Sequence, residues 1–386
     1  MDAGLPTSFG LTRELSKASA LPEFGRKGGA NELTTALAFA IGTLYQQRGA
    51  AGVNPMHKPE VDIEELVDAV DSLAHPELSG MTPFVSGWHP FLRDVDAAHD
   101  DRNQMIENFV NGLTRALSAK SEPEAASARE GAQTALRLAL LLAQPKFASV
   151  LFKRLKASIL LRTSQILWLK DDEAAAKTSY LAPLVSSPST RCIATLNYDN
   201  TIEACARTHG IGLNIGLEGY GAHGVVSFST EAQIRLLKLH GSLDWQFPDS
   251  AEERREYPGK RALRFSWQRV APFDPKWDPD CLGIVFGRQK LQTPGPFLDL
   301  LHSFANELAT VDRLITIGYA FRDDHINRLI VQFLMRRSTA KLLVVDPALP
   351  EHYVVLVDLL KRFAGRIRVR NMTAAAALST YPMPIE

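Results

Sequence analysis

Asn197 and His240 are the residues best suited to chemistry in this chain. Each follows a short apolar run: Cys192-Ile193-Ala194 leads into Thr195-Leu196-Asn197-Tyr198-Asp199, and Ile234 with Leu236-Leu237 leads into Leu239-His240-Gly241-Ser242. Such runs read as buried strands ending in polar tips, and an open parallel sheet binds its ligands beyond the carboxyl ends of its strands. An amide donates and accepts at once, so Asn197 can hold sugar hydroxyls or place an attacking water. An imidazole, with an ordinary pKa of about 6.5, can pass a proton at neutral pH. Each residue also has a purely structural reading. Asn197 and Asp199 can cap the helix that starts near Thr201, His240 can be a satisfied turn residue, and Asp346 can simply end a strand.

The elements that must position these groups fall after Pro188. Strands are expected at Cys192 to Leu196, Val225 to Phe228, Ile234 to Leu239, Leu282 to Phe286, Leu314 to Gly318, Leu342 to Asp346 and Ile367 to Val369. Helices are expected at Asn200 to Thr208, Pro296 to Ala309, Asp324 to Arg336 and Glu351 to Phe363. This alternation predicts an α/β fold, a doubly wound parallel sheet of Rossmann type with helices on both faces. Asp323 or Asp324 is expected to cap the helix that follows it. His325 and Asn327 face a cofactor, solvent or another subunit. The span from Pro248 to Pro279 reads as an irregular excursion, a lid or an interface element, and Trp245, Trp267 and Trp277 line it or close a small core.

Earlier in the chain the texture is helical. Leu33, Leu37, Ala40, Ile41 and Leu44 fall at helical spacing, as do Ile63, Leu66, Val67, Val70 and Leu73, and Ile106, Phe109, Val110, Leu113 and Leu117. An Ala/Leu-rich stretch covers Ala135 to Ala143, and a long helix is expected from Phe147 to Leu169. Residues 31–178 therefore read as an all-helical insertion, with 1–30 and 179–386 forming the α/β domain.

Composition narrows the function classes. Lys+Arg and Asp+Glu both number 43, so no overall positive field recruits nucleic acid or an anionic membrane. The cysteines Cys192, Cys205 and Cys281 stand singly and supply neither a four-thiolate zinc site nor a disulfide framework. No metal is expected. No uncharged apolar run reaches membrane-spanning length, and the expected compartment is the cytoplasm.

Taken in order, several blocks resemble the sirtuin-like superfamily of NAD-consuming enzymes. Ala3-Gly4-Leu5-Pro6 is similar to the end of its glycine-rich cofactor loop, Thr195 to Asp199 to its Thr-x-Asn-x-Asp block, and His240-Gly241 to its His-Gly. Gly283 to Gly287 is similar to its Val-x-Phe-Gly strand, Ile317-Gly318-Tyr319 stands where a strand passes under the cofactor, and Val345-Asp346-Pro347 where a polar residue meets the adenosine. The family's first strand and part of its cofactor loop would precede Asp2, which implies that the natural start lies further upstream. The zinc cysteines of the protein deacylases have no counterpart, and Thr7-Ser8-Phe9 replaces the family's Asp-Phe-Arg.

The run Phe321 to Asn327 and the Asn197-Tyr198-Asp199 form of the first block resemble the bacterial sirtuin-like NADases of antiphage defence. What the resemblance implies is hydrolysis of NAD+ to nicotinamide and ADP-ribose, with Asn197 and His240 as catalytic residues. Ala3, Gly4, Thr195, Asp199, Gly318, Tyr319 and Asp346 would bind the dinucleotide. The resemblance also implies control by assembly, as a homo-oligomer or with a HerA-type ATPase, in abortive infection. A non-catalytic module sensing NAD or ADP-ribose and an NAD-dependent protein deacylase are the alternatives, and they share the fold.

Overall fold

Leu342, Leu343, Val344 and Val345 are all buried, so the strand they form is covered on both faces. Strand side chains alternate between faces, and these four sort accordingly. Leu342 and Val344 pack with Leu300, Ile330 and Leu356, whereas Leu343 and Val345 pack with Val185, Cys205 and Leu378. Two helical layers therefore sandwich the sheet, the arrangement that parallel strands require.

The computed structural model describes residues 3–15, 30–50, 61–74, 147–218, 220, 224–228, 234–246, 268–285, 296–347 and 354–383. Met1–Thr7 with Thr163–Glu386 form one compact unit, and Ser8–Arg162 form another.

The second unit is helical. It contains α1 (Ser8–Leu15), α2 (Ala30–Ala50), α3 (Ile63–Ala74) and most of α4 (Phe147–Leu167). Leu33, Leu37, Ala40 and Leu44 of α2 are buried, as are Ile63, Leu66, Val67, Val70 and Leu73 of α3, which is the stripe that their spacing predicts. A capping box starts α3: Asp62 Oδ1 accepts from the Glu64 N–H at 2.8 Å while Glu65 Oε2 accepts from the Asp62 N–H at 3.3 Å. The expected helices at Ile106 to Leu117 and Ala135 to Ala143 lie outside the described residues.

The first unit carries the sheets. In chain order its elements are α5 (Asp171–Thr178), α6 (Ala182–Val185), β1 (Cys192–Thr195), α7 (Thr201–Thr208), β2 (Leu213–Asn214), β3 (Ile234–Lys238), β4 (Gly241–Gln246), β5 (Gln268–Arg269) and β6 (Leu282–Ile284). Next come α8 (Phe297–Thr310), β7 (Arg313–Ile317), α9 (Asp324–Arg336), β8 (Lys341–Val345), α10 (Val354–Arg362), β9 (Ile367–Arg370) and α11 (Ala374–Leu378). Two three-stranded sheets are parallel, in the orders β1-β3-β2 and β7-β8-β9. This is the mixed α/β, Rossmann-like architecture expected. A third sheet, β5-β4-β6, is antiparallel; its strand β5 falls in the span expected to be an irregular excursion, and β6 is the strand expected at Leu282 to Phe286, here paired antiparallel to β4. Within it Trp245 is buried beside Phe297, with ring centroids 6.4 Å apart, and Trp277 Nε1 donates to the Leu243 carbonyl at 2.9 Å. Trp267 lies outside the described residues.

One expected strand is corrected. Val225 to Phe228 is irregular, because its backbone groups bond away from any strand: the Val226 N–H reaches Asp299 Oδ2 and the Ser227 N–H donates to the Gly216 carbonyl. No helix among the described residues is long and apolar enough to cross a membrane.

Candidate active site

The site begins where β1 and β3 end together. Thr195 pairs with Lys238, and the Leu239 N–H donates to the Thr195 carbonyl at 2.9 Å. Beyond that bond the two chains diverge. On the β1 side, Thr195 Oγ1 accepts from the Asn197 N–H at 3.1 Å, which turns the chain and leaves Asn197 exposed at the tip. On the β3 side, Leu239 and His240 make the turn into β4, and His240 is buried. Its backbone is fixed on the far side too, since the His240 carbonyl accepts from the Val285 N–H at 3.0 Å. The Tyr198 ring lies 6.4 Å from the imidazole, centroid to centroid. The sheet thus brings the amide-bearing and imidazole-bearing segments to neighbouring strand ends.

Gly241 makes this corner possible. Its φ is 87°, a left-handed value that favours glycine, and a Cβ there would meet the Gly283 carbonyl oxygen at 1.9 Å.

A buried ion pair pins the loop between β1 and α7. Lys238 sits in the apolar strand β3 with its side chain fully buried, and its Nζ lies 2.8 Å from Glu203 Oε1 and 2.5 Å from the Asp199 carbonyl. The pair satisfies the charge that burial would otherwise make costly, and the same ammonium ties the backbone of the Asn197 loop to β3. Asp199 has a local task as well. Its Oδ1 accepts from the Thr201 N–H at 3.0 Å and the Thr201 hydroxyl at 2.6 Å, starting α7. Asn200 is buried and bonds both backbone groups of Leu169 at 2.9 Å.

The loop after β7 reaches the same corner. Gly318 has φ 65°, and its N–H donates to the Val345 carbonyl at 2.9 Å, so Gly318 and Asp346 stand at adjacent ends of β7 and β8. Asp346 is buried, and its N–H donates to the Arg370 carbonyl at 3.1 Å. From Gly318 the chain folds tightly. The Tyr319 hydroxyl lies 2.9 Å from Asn327 Oδ1 and 3.3 Å from the Asp323 carbonyl, and Asn327 Nδ2 donates to the Phe321 carbonyl at 3.0 Å. Burial first, and then the neighbouring Asp323 carboxylate, push the Tyr319 phenol up, so it remains a proton donor at neutral pH. Phe321 is held at φ 54°, a strained value for a non-glycine residue.

The result of that folding is the position of Asp323. It occupies the N-cap position of α9, as expected, but its side chain makes no capping bond. Its Oδ1 lies instead 3.8 Å from His240 Nε2. His325, in the first turn of α9, brings its ring to 6.2 Å from that of His240, centroid to centroid. Ala3 is buried in the same unit, and Gly4 beside it has φ 71° with open space where a Cβ would stand. Phe286 and Gly287 lie outside the described residues.

Asn197 and His240, singled out by residue type at strand tips, lie on segments that the β1–β3 pairing brings to neighbouring strand ends. The residue pattern missed the Lys238–Glu203 pair, whose signal was a lysine between Leu237 and Leu239 in an apolar run, and left Asp323 and Asp324 only as alternatives for the helix cap.

The carboxyl ends of both parallel sheets thus contribute to one corner, with an exposed amide, a buried imidazole and a carboxylate. Residues 191–360 match the family model of the SIR2-like domain, from the start of β1 through most of α10. No curated protein matches the chain. SIR2-like domains are NAD-dependent, and the match supports the sirtuin-like superfamily.

Proposed function

We propose that this chain is an NAD+ glycohydrolase, converting NAD+ and water to nicotinamide, ADP-ribose and a proton. The observation that carries this reading is the pairing of β1 with β3, which sets Asn197 and His240 at neighbouring strand ends inside the stretch that matches the SIR2-like domain. In the reaction the bond between ribose C1 and the pyridinium nitrogen breaks heterolytically, and nicotinamide leaves with the electron pair as a neutral molecule. The site must stabilise the cationic sugar and deliver water to C1. Asn197 holds ribose hydroxyls or the water. His240 takes the proton released when the new C–O bond forms, directly or through a ribose hydroxyl.

Thr195, Gly318, Tyr319 and Asp346, at the carboxyl ends of the parallel strands, are proposed to line the dinucleotide, with Ala3 and Gly4 toward the pyrophosphate and Asp346 toward the adenosine ribose. Asp199 is assigned the carboxamide through its second oxygen, the first being taken by Thr201. Loss of NAD+ kills a cell, so the activity is proposed to act in the cytoplasm in abortive infection against phage. It is restrained by assembly into a homo-oligomer or with a HerA-type ATPase. The similarity of the Phe321 to Asn327 run to the antiphage NADases supports this part.

Chromatography of NAD+ products tests the reading, with protein alone and with a partner ATPase and nucleic acid. Nicotinamide and ADP-ribose should form, and Asn197→Ala and His240→Ala should each slow release by about 10²-fold or more. Binding of NAD+ without any release would favour a sensing module. Unchanged turnover in both variants would remove the assignment of the site.

A further inference from the structure

We infer that His240, Asp323 and His325 form a binding site for a divalent first-row transition-metal ion, and that the ion and the proposed NAD chemistry compete for His240. The first half stands on geometry alone; the second rests on the proposed function.

One ligand atom from each of the three side chains lies within 4.8 Å of the other two. His240 Nε2 and Asp323 Oδ1 stand 3.8 Å apart. Bonds of about 2.0–2.2 Å in a tetrahedral site put neighbouring donors roughly 3.3–3.6 Å apart, so small side-chain rotations bring that edge to coordination distance. Two imidazoles and one carboxylate are a donor set for zinc, iron, cobalt or nickel. Magnesium and calcium prefer oxygen cages. Three protein ligands also leave a coordination position open to water, as in zinc sites that exchange ligands.

The scaffold is rigid enough to present the ligands together. Asp323 and His325 come from the start of one helix, and the loop before it is fixed by the Tyr319 and Asn327 bonds. His240 comes from a corner whose carbonyl is bonded to Val285. The Asp323 side chain is not spent on capping α9 and faces the imidazole. An ion held by the His240 ring nitrogen withdraws that lone pair from proton transfer, so occupancy is expected to stop hydrolysis reversibly.

Calorimetry on the untagged full chain, stripped with EDTA and titrated with ZnCl2, decides the site, with MgCl2 as the control. One equivalent of zinc should bind, magnesium should give no heat, and both His325→Ala and Asp323→Asn should weaken zinc by at least about tenfold. No zinc binding, or equal affinity in wild type and both variants, overturns the site. Turnover of NAD+ is then measured for each protein with and without zinc, and the ratio should fall for the wild type, recover with EDTA, and be insensitive in His325→Ala. Zinc bound without change in the wild-type ratio overturns the competition. A chain with no turnover under any condition overturns the proposed function, while the calorimetry still decides the metal site.

Discussion

Replacing Lys238 by methionine should be among the most damaging single changes in the sheet unit. The lysine side chain is fully buried and that of Glu203 is 7% exposed, so the change strands a carboxylate away from water. Removing one partner of a buried pair costs about 3–5 kcal/mol, which includes the donor lost to the Asp199 carbonyl. At about 1.4 kcal/mol per decade, the folded-to-unfolded ratio falls by two to three orders of magnitude or more. Removing both charges, as Lys238→Met with Glu203→Leu, eliminates the stranded carboxylate. Only the unpaired Asp199 carbonyl remains, and the cost should shrink to about 1–3 kcal/mol. With the Glu203→Leu single variant measured as well, the double-mutant cycle gives the coupling energy of the pair. Urea denaturation followed by tryptophan fluorescence reads it, since Trp245 and Trp277 are buried in the same unit. The double variant should also hydrolyse NAD+ poorly despite its recovered stability, because the loop carrying Asn197 has lost its tie to β3. A double variant as unstable as the single one would refute the charge argument. Full turnover in the double variant would refute the positioning of the loop.

Two glycines should respond differently to alanine. Gly241→Ala puts a methyl 1.9 Å from a backbone oxygen at φ 87°, so the chain should melt far below the wild type or fail to fold. Gly318→Ala meets open space at φ 65° and should cost only the left-handed strain of about 1–2 kcal/mol, seen as a modest shift in melting temperature. Cys192 should be unreactive in the native protein. Burial, with a smaller push from Glu307, raises its thiol to about 12. At pH 8 the thiolate is scarce, and iodoacetamide followed by peptide mass spectrometry should label Cys192 at least about 100-fold more slowly in the native chain than in urea.

Much of the α/β unit was legible because its strands are covered on both faces. Leu342 to Val345 had to be a continuous apolar run, and the strand Lys341–Val345 ends where that run ends. The strand β4 was not legible. Ser242, Asp244 and Gln246 alternate with apolar residues as if facing solvent, yet all three are buried. Asp244 is met by Arg269, and Gln246 exchanges hydrogen bonds with the Asp278 backbone. Those partners lie far along the sequence, so local pattern carried no trace of them. The same holds for Lys238, whose burial depends on Glu203 arriving from α7. For Asp323 the capping position was readable, but the direction of its side chain depends on how the loop from Gly318 folds, with Phe321 forced to a positive φ.

The turn at Leu239 and His240 joins two sheets whose strands run by different rules, one parallel and one antiparallel. Its amide at Leu239 is fastened to β1 and its carbonyl at His240 to Val285. The imidazole therefore rides on a hinge pin shared by two layers. A change in the angle between those layers would shift the imidazole relative to the amide on β1. The position of the imidazole is in this sense set by both sheets together, and not by the residues of one strand end alone.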